Sequence, residues 1–343
     1  PHLQERWNQA RSSAMKKGYK ITHLIRLDST FRRRTYELVS GTFQLLKYKD
    51  LYEPLCFKNK SILMAPYGLV LALGQEALFT LSTQESHATD AAIYTKEESQ
   101  VSILAEHFQS LKEQTEQIFS KYETYEQPDF MKVLHDADDE PGDRIIITRR
   151  LSEITRPINW YDPNHNWAKD LLDYLENNSP PGTDLSQHIE NRRQRANALQ
   201  KHLDAGKYCC RYIYPKSCIE EFVNSGKPEP YYFEANREEK IEQLQRMADL
   251  LKYPTYEMAL IDEEGMKEIS PTFCEVQGNH IFFGEVWSER NQERISTWYF
   301  TQERVIVRAF QEHLSKFWNK ISDDCKNRFY VSEWIKQQIH KLG

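Results

Sequence analysis

The strongest constraint on how this chain can fold is that it carries one strand–turn–helix signature twice. Tyr94-Thr95-Lys96-Glu97, running on through Glu106-His107-Phe108, recurs without a gap as Phe300-Thr301-Gln302-Glu303 through Glu312-His313-Leu314. In each copy an apolar, strand-like run ends in an aromatic residue and Thr, an acidic turn follows, and a helix begins. The helices share an apolar stripe, Val101, Leu104, Phe108 and Leu111 against Val307, Phe310, Leu314 and Phe317. Any amphipathic helix reproduces such a stripe, because one face must meet the core every three or four residues. The Thr, Glu and Glu-His held at fixed offsets are harder to reproduce, and they imply two versions of one module. Thr95 with Glu98 reads as a capping box, hydroxyl and carboxylate satisfying amides of the first helical turn. Thr301 caps likewise, with Arg304 in place of the acid.

The rest of the chain falls into the same two series. Helix over Gln4–Lys17, stop at Gly18 and strand over Tyr19–Leu27 match helix over Asn191–Asp204, stop at Gly206 and strand over Lys207–Tyr214. Glycine ends a helix at least cost because it tolerates positive φ. The first series continues with a helix over Thr30–Leu46 and short apolar runs at Ser61–Pro66, Leu69–Leu73 and Ala77–Leu81, which their length and flanking Pro and Gly mark as strands. The second answers with a helix at Glu238–Leu251 and strands at Tyr256–Asp262, His280–Trp287 and Ile295–Phe300. It carries extra residues, assigned to Pro228–Glu242, and Tyr67–Leu73 aligns with Tyr256–Asp262 as the clearest inner match.

This predicts an α/β (α+β) fold of two mixed-sheet modules with flanking helices. The first spans 1–125 and the second 191–322. Between them, residues 126–190 form a connecting segment with an acidic turn at Asp136–Asp143, the apolar run Ile145–Thr148, and a short helix whose face is Trp167, Leu171, Tyr174 and Leu175. Trp and Ile at this density would be costly in an exposed linker, so the segment is expected to pack against both modules. Residues 323–343 form a C-terminal helix with Phe329, Trp334, Ile335, Ile339 and Leu342 apolar, to cap a core or to pair two copies into a homodimer.

A chain of 343 residues, 39% hydrophobic and 28% charged, has the length for two cores and the surface of a soluble protein. Its net charge of -6 opposes direct binding to nucleic acid, which needs clustered Lys and Arg. The basic runs Arg32–Arg34 and Arg192–Arg195 are short and read as solvated faces. Six cysteines without CxxC spacing fit a reduced, cytoplasmic setting, and no apolar run is long enough to span a membrane. The opening Pro1-His2 reads as the start of a fragment, with something further upstream.

No GxxxxGK[ST], GxGxxG, HExxH or GxSxG motif occurs, which removes the common phosphate, dinucleotide, zinc-protease and serine-hydrolase signatures. His107 and His313 are the one catalytic temptation, since a doubled fold can bring equivalent histidines together; each also sits beside a stripe residue, where a core-bordering His is ordinary. No catalytic residue, metal ligand or cofactor is assigned, and Cys209, Cys210 and Cys218 read as small buried hydrophobes. Polar groups following equivalent strands are the ligand-binding candidates: Arg26 and Asp28 with Arg34 on the next helix, and Tyr214 and Lys216 with Ser217. Crevices beyond strand carboxyl ends are frequent ligand sites. Surface salt bridging and capping account for the same residues equally well.

Several stretches resemble a family. Glu5-Arg6-Trp7, Gly18-Tyr19-Lys20-Ile21-Thr22-His23-Leu24-Ile25-Arg26-Leu27-Asp28, Arg149-Arg150-Leu151-Ser152 through Pro157 with Trp160-Tyr161, and Tyr214-Pro215-Lys216-Ser217 through Val223 are similar to the long C-terminal regions of bacterial helix-turn-helix transcriptional regulators. The element Thr301–Trp318 resembles the last strand and helix of phospholipase-D-like sensor modules. The resemblance implies a degenerate, doubled phospholipase-D-like fold used for sensing a small-molecule or peptide signal, with DNA reached through an upstream domain absent from this chain. The superfamily's HxKxxxxD signature is missing: Lys316 follows His313 one position too late, and no Lys follows His107 at that spacing. A phosphodiesterase of the doubled type and a dimerisation scaffold are the alternatives.

Overall fold

Helix and strand alternate along the chain, as the periodicity predicts. The computed structural model describes residues 2–25, 27, 32–48, 51–57, 67–72, 75–81, 91–122, 128–139, 142–149, 151–152, 155–178, 184–225, 234–266, 273–278, 281–290 and 293–343. Helix α1 (His2–Lys16) leads into β1 (Ile21–Ile25), α2 (Arg32–Leu46), β2 (Tyr52–Phe57), a meander of β3 (Tyr67–Ala72), β4 (Glu76–Leu81) and β5 (Ala91–Thr95), and α3 (Glu98–Glu113). Next come β6 (Thr115–Gln117), β7 (Ser120–Tyr122), α4 (Pro128–Asp139), β8 (Arg144–Thr148), a 3-10 turn (Ile158–Tyr161) and α5 (Asn166–Asn178). The second series is α6 (Leu185–Ala205), β9 (Cys210–Pro215), α7 (Lys216–Ser225), α8 (Arg237–Leu250), β10 (Tyr256–Ile261), α9 (Glu263–Met266), β11 (Phe273–Gln277), β12 (Ile281–Arg290), β13 (Glu293–Thr301) and α10 (Arg304–Lys320). Helices α11 (Asp323–Lys326) and α12 (Arg328–Leu342) close the chain.

The doubling is visible in the pairing. Strand β1 runs parallel to β2, and β9 parallel to β10. Each parallel pair is followed by an antiparallel meander and a helix, β3-β4-β5-α3 and β11-β12-β13-α10. Gly18 and Gly206 end the leading helices with φ of 87° and 62°, as expected of glycine stops. The inner alignment needs correction: the counterpart of β10 is β2, each lying parallel to the first strand of its series, and Tyr67–Ala72 is the first meander strand. The aromatic, mixed run Tyr52–Phe57 escapes periodicity because Glu53 and Pro54 interrupt it. The extra residues of the second copy begin earlier than Pro228. They include α7, which buries Cys218, Ile219, Phe222 and Val223. The run Ser61–Pro66 lies outside the described residues.

Two compact units result, one of Pro1–Ser13, Asp28–Tyr48 and Phe119–Gly343, the other of Ala14–Leu27 and Lys49–Ile118. The larger unit is built on a seven-stranded sheet ordered β10-β9-β8-β11-β12-β13-β7, in which β8, β9 and β10 are parallel and the rest antiparallel. The run Ile145–Thr148 thus belongs at the middle of the sheet, paired on both edges. One face carries Ile146, Tyr212, Tyr214, Tyr256, Met258 and Leu260, covered by α6, α7, α8 and α12. Both parallel crossovers therefore lie on this face. Helix α4 covers the β13 end of it through Phe130, Leu134 and Ala137 against Trp298. Outboard of α6, Trp160, Trp167, Leu171 and Leu175 pack on Ile189 and Ala196, so the helix read at Trp167–Leu175 exists and buries that face. Helices α10 and α2 pack together through Phe43, Tyr36 and Phe310.

Three local readings change. Residues 136–139 are the last turn of α4 rather than an acidic turn, because Phe130, Leu134 and Ala137 anchor the helix and Asp138 finds cationic partners. Arg192 and Arg195 are buried, not solvated; Arg193 alone of that trio is exposed, paired with Glu190. The repeated Thr does not cap its helix. Thr95 and Thr301 each accept a bond at 3.1 Å from the amide two residues on, Glu97 or Glu303, and that Glu is the N-cap. A reciprocal capping box does form on α8 between Asn236 and Glu239. Helix α12 inserts Val331 and Ile335 into the main core, with Trp334 packed against it, while Phe329 stays 75% exposed.

In the smaller unit β1, β2 and β6 form one sheet and β3, β4 and β5 another. Lys112 of α3 and Thr22 of β1 both donate to Glu53 of β2, at 2.8 and 2.9 Å. The Lys112 bond is the main reason the Glu53 carboxyl sits below its usual pKa.

Candidate ligand-binding site

Strands β8, β9 and β10 are parallel, so their carboxyl ends finish at the same edge of the sheet. Each hands the chain to polar residues there: Arg149 after β8, Lys216 and Ser217 after β9, Asp262 and Glu263 after β10. Glu263 accepts from both Arg149 and Ser217, which ties the three strand ends together. Burial pushes the Glu263 carboxyl up, but the Ser217 hydroxyl and the Arg149 charge outweigh it and hold its pKa below the usual value. Lys216 begins α7 half-buried beside this knot. Beneath it Tyr214 is fully buried, its ring stacked on Tyr212 at 5.6 Å, and burial raises its phenol well above the usual range.

Of the residues predicted to contact a ligand, Tyr214 and Lys216 come together here with Ser217. Arg26 and Asp28 lie outside the described residues; Arg34 falls within α2, with its side chain outside them. Arg149 and Glu263 were missed by sequence reasoning, although each directly follows an apolar strand run, the signal that singled out Lys216.

At the other end of β8 a second polar group is buried. Asp138 receives Arg144 at 2.8 Å and Arg195 at 2.6 Å, and Glu275 lies 3.7 Å from Arg144. Burial works against the Asp138 carboxylate, but Arg195 and Arg144 overcome it and lower its pKa. Burial wins at Glu275, whose pKa is raised despite Arg144.

The two repeated histidines occupy different settings. His313 stacks on Tyr36 with ring centroids 3.5 Å apart, and burial, aided by Lys320 and Lys316, lowers its pKa to about 4. His107 is exposed on α3. Burial raises the thiols of Cys209 and Cys210 to about 12, so both stay protonated and unreactive at neutral pH. Among the described residues no His, Cys, Asp and Glu group is arranged to hold a metal ion, and no helix is long and apolar enough to cross a membrane.

No family profile matches the chain, and no curated protein matches it in sequence. Solved structures similar to it include TrmBL2, an archaeal chromatin protein with a novel mode of DNA binding, at 10% identity over 65% of this chain and 60% of that chain, TM-score 0.31. The chain therefore spans 60% of that protein's length. NucT from Helicobacter pylori is similar at 11% identity over 59% and 95%, TM-score 0.29. Phosphatidylserine synthase of Haemophilus influenzae Rd KW20 is similar at 8% identity over 97% and 91%, TM-score 0.35. At these TM-scores the mixed α/β class rests on the chain's own sheets and helices.

Proposed function

We propose that this chain is the sensing region of a transcriptional regulator, taking a small-molecule or peptide signal beyond the carboxyl ends of β8, β9 and β10 and reaching DNA through a separate domain. The observation that carries this is the knot of Arg149, Ser217 and Glu263 with Lys216 beside it, where three parallel strands converge. A ligand carboxylate or phosphate can exchange for Glu263 on Arg149, and a ligand donor can take Glu263. Either exchange loosens one strand end from its neighbours, so the bound and free forms differ in the geometry they can pass on. The net charge of -6 supports a DNA contact made elsewhere.

Against a phosphodiesterase, the Nε2 atom of His313 is buried, its ring stacks on Tyr36, and Lys316 follows it one position too late for the signature, so it is poorly placed to attack phosphorus. The test is a thermal-shift and calorimetric screen of metabolites and peptides against the chain, repeated on Lys216→Ala and Arg149→Ala. A ligand that raises the melting temperature of the parent chain and loses affinity in both variants is the expected result. Absence of any ligand, or binding indifferent to both substitutions, overturns the reading.

A further inference from the structure

A cavity of about 370 Å³ opens between α4 and α6, at the end of β8 opposite Arg149. All but one of its lining residues carry a polar group: His135 and Asp138 from α4, and Gln194, Arg195, Asn197 and Lys201 from α6. Ala198 completes the lining, and its short side chain leaves the space between the longer ones. Gln194, Asn197, Ala198 and Lys201 recur three or four residues apart, so one face of α6 presents them together.

The charge around this space is lopsided. Arg195 is only 6% exposed, its Nε bound to Asp138, and the second oxygen of Asp138 is taken by Arg144. Asp138 is thus one carboxylate shared by two guanidinium groups that stay charged at any physiological pH. Glu275, the remaining acid of the group, has its ionisation opposed by burial. Lys201, exposed at the rim, adds a further cation, Asn197 brings an amide, Gln194 an amide whose nitrogen also donates to Glu190 at 3.1 Å, and His135 an imidazole. A cavity of this size lies in the lower range of small-molecule sites.

We infer that the α4–α6 cavity binds a small oxyanion, a phosphate monoester or a di- or tricarboxylate, between Lys201 and Arg195 with amide contacts from Asn197 and Gln194. A bound anion adds negative charge beside two guanidinium groups that share the Asp138 carboxylate. This site is separate from the strand-end knot and stands or falls independently of it.

Titration calorimetry of the full chain with inorganic phosphate and with citrate, at constant ionic strength set by chloride, tests the inference. Saturable binding of at least one anion over chloride is expected. Lys201→Glu, at an exposed position that leaves the fold intact, should weaken it by at least about tenfold, and Ala198→Leu should block it by filling the space. Lys336→Ala, on the exposed face of α12 and outside both sites, should leave it unchanged. Preference for phosphate assigns a phosphorylated ligand and preference for citrate a polycarboxylate. No saturation up to about 10 mM, in the range of the weakest specific affinities, or binding that Lys201→Glu does not weaken, overturns it.

Discussion

Helices α3 and α10 begin from the same turn yet end in different environments. Both follow a strand that closes in Thr, both take their N-cap from Glu97 or Glu303, and both close the first turn onto that residue's carbonyl, at 2.9 and 3.0 Å. In α10 the shared stripe is buried, together with Val305, Ile306, Ala309 and Trp318. In α3 only Val101 is buried, and Ile103 is 65% exposed. The local code therefore specifies where a strand stops and a helix starts. What the helix covers is set by the sheet it meets, seven strands in one unit and three in the other. The charged pairs divide the same way. Arg144–Asp138 is sealed in the larger unit, whereas Lys112–Glu53 in the smaller one keeps about a third of each side chain in water.

The sharpest way to break this contrast is through the charges. Arg144→Ala leaves Asp138 with one partner fewer in a dry site and should destabilise the larger unit by about 3–5 kcal/mol. Lys112→Ala removes a half-solvated partner and should cost about 0–1 kcal/mol. Calorimetric unfolding of both variants measures the difference; equal losses would mean that burial is not what separates the units. The stripe gives the next comparison. Leu314→Ala should cost about 2–5 kcal/mol, and Phe108→Ala, at the equivalent but half-buried position, less than about 2 kcal/mol.

A pH series sharpens it further. His313 titrates near 4 in the folded chain against a usual 6.5. Between these values the unfolded chain takes up a proton that the folded form refuses, so stability is full above about 6.5 and falls as pH drops toward 4. His313→Gln should flatten that part of the melting-temperature profile, and an unchanged slope would show the ring to be accessible to protons. The smallest effect is expected at the turn. Thr301→Val removes a bond from a buried hydroxyl and should cost about 1 kcal/mol; Thr95→Val, half-exposed, should cost less.

Much of the element order was legible because the signals were local. Short apolar runs gave β4, β9, β10 and β13, and helical spacing gave α2, α6 and α8. What stayed hidden depends on partners distant in the chain. Asp138 looks like part of a polar turn until Arg144 and Arg195 are known to reach it, and Arg195 looks like a surface charge for the same reason. Strand β2 was missed because Glu53 and Pro54 break its alternation, and Glu53 is tolerated there through Thr22 and Lys112. In the candidate site, Lys216 and Ser217 were found by their place after a strand. Arg149 and Glu263 were not, since only the sheet order brings the ends of β8 and β10 beside that of β9.

The four members of the buried ionic group, Asp138, Arg144, Arg195 and Glu275, are spread widely along the chain, which gives synthesis a direction. Emerging from the ribosome, the smaller unit has all its residues once Ile118 is free, and its contacts can close early. The larger unit must wait: β8 lacks the partner on one of its edges until β11 is made, and Arg144 sits at that open edge. Only after Glu275 has emerged can Arg144 be closed off from water. A translation pause between β10 and β11 would therefore leave a half-sheet ordered β10-β9-β8, with β8 at its open edge and Arg144 still wet.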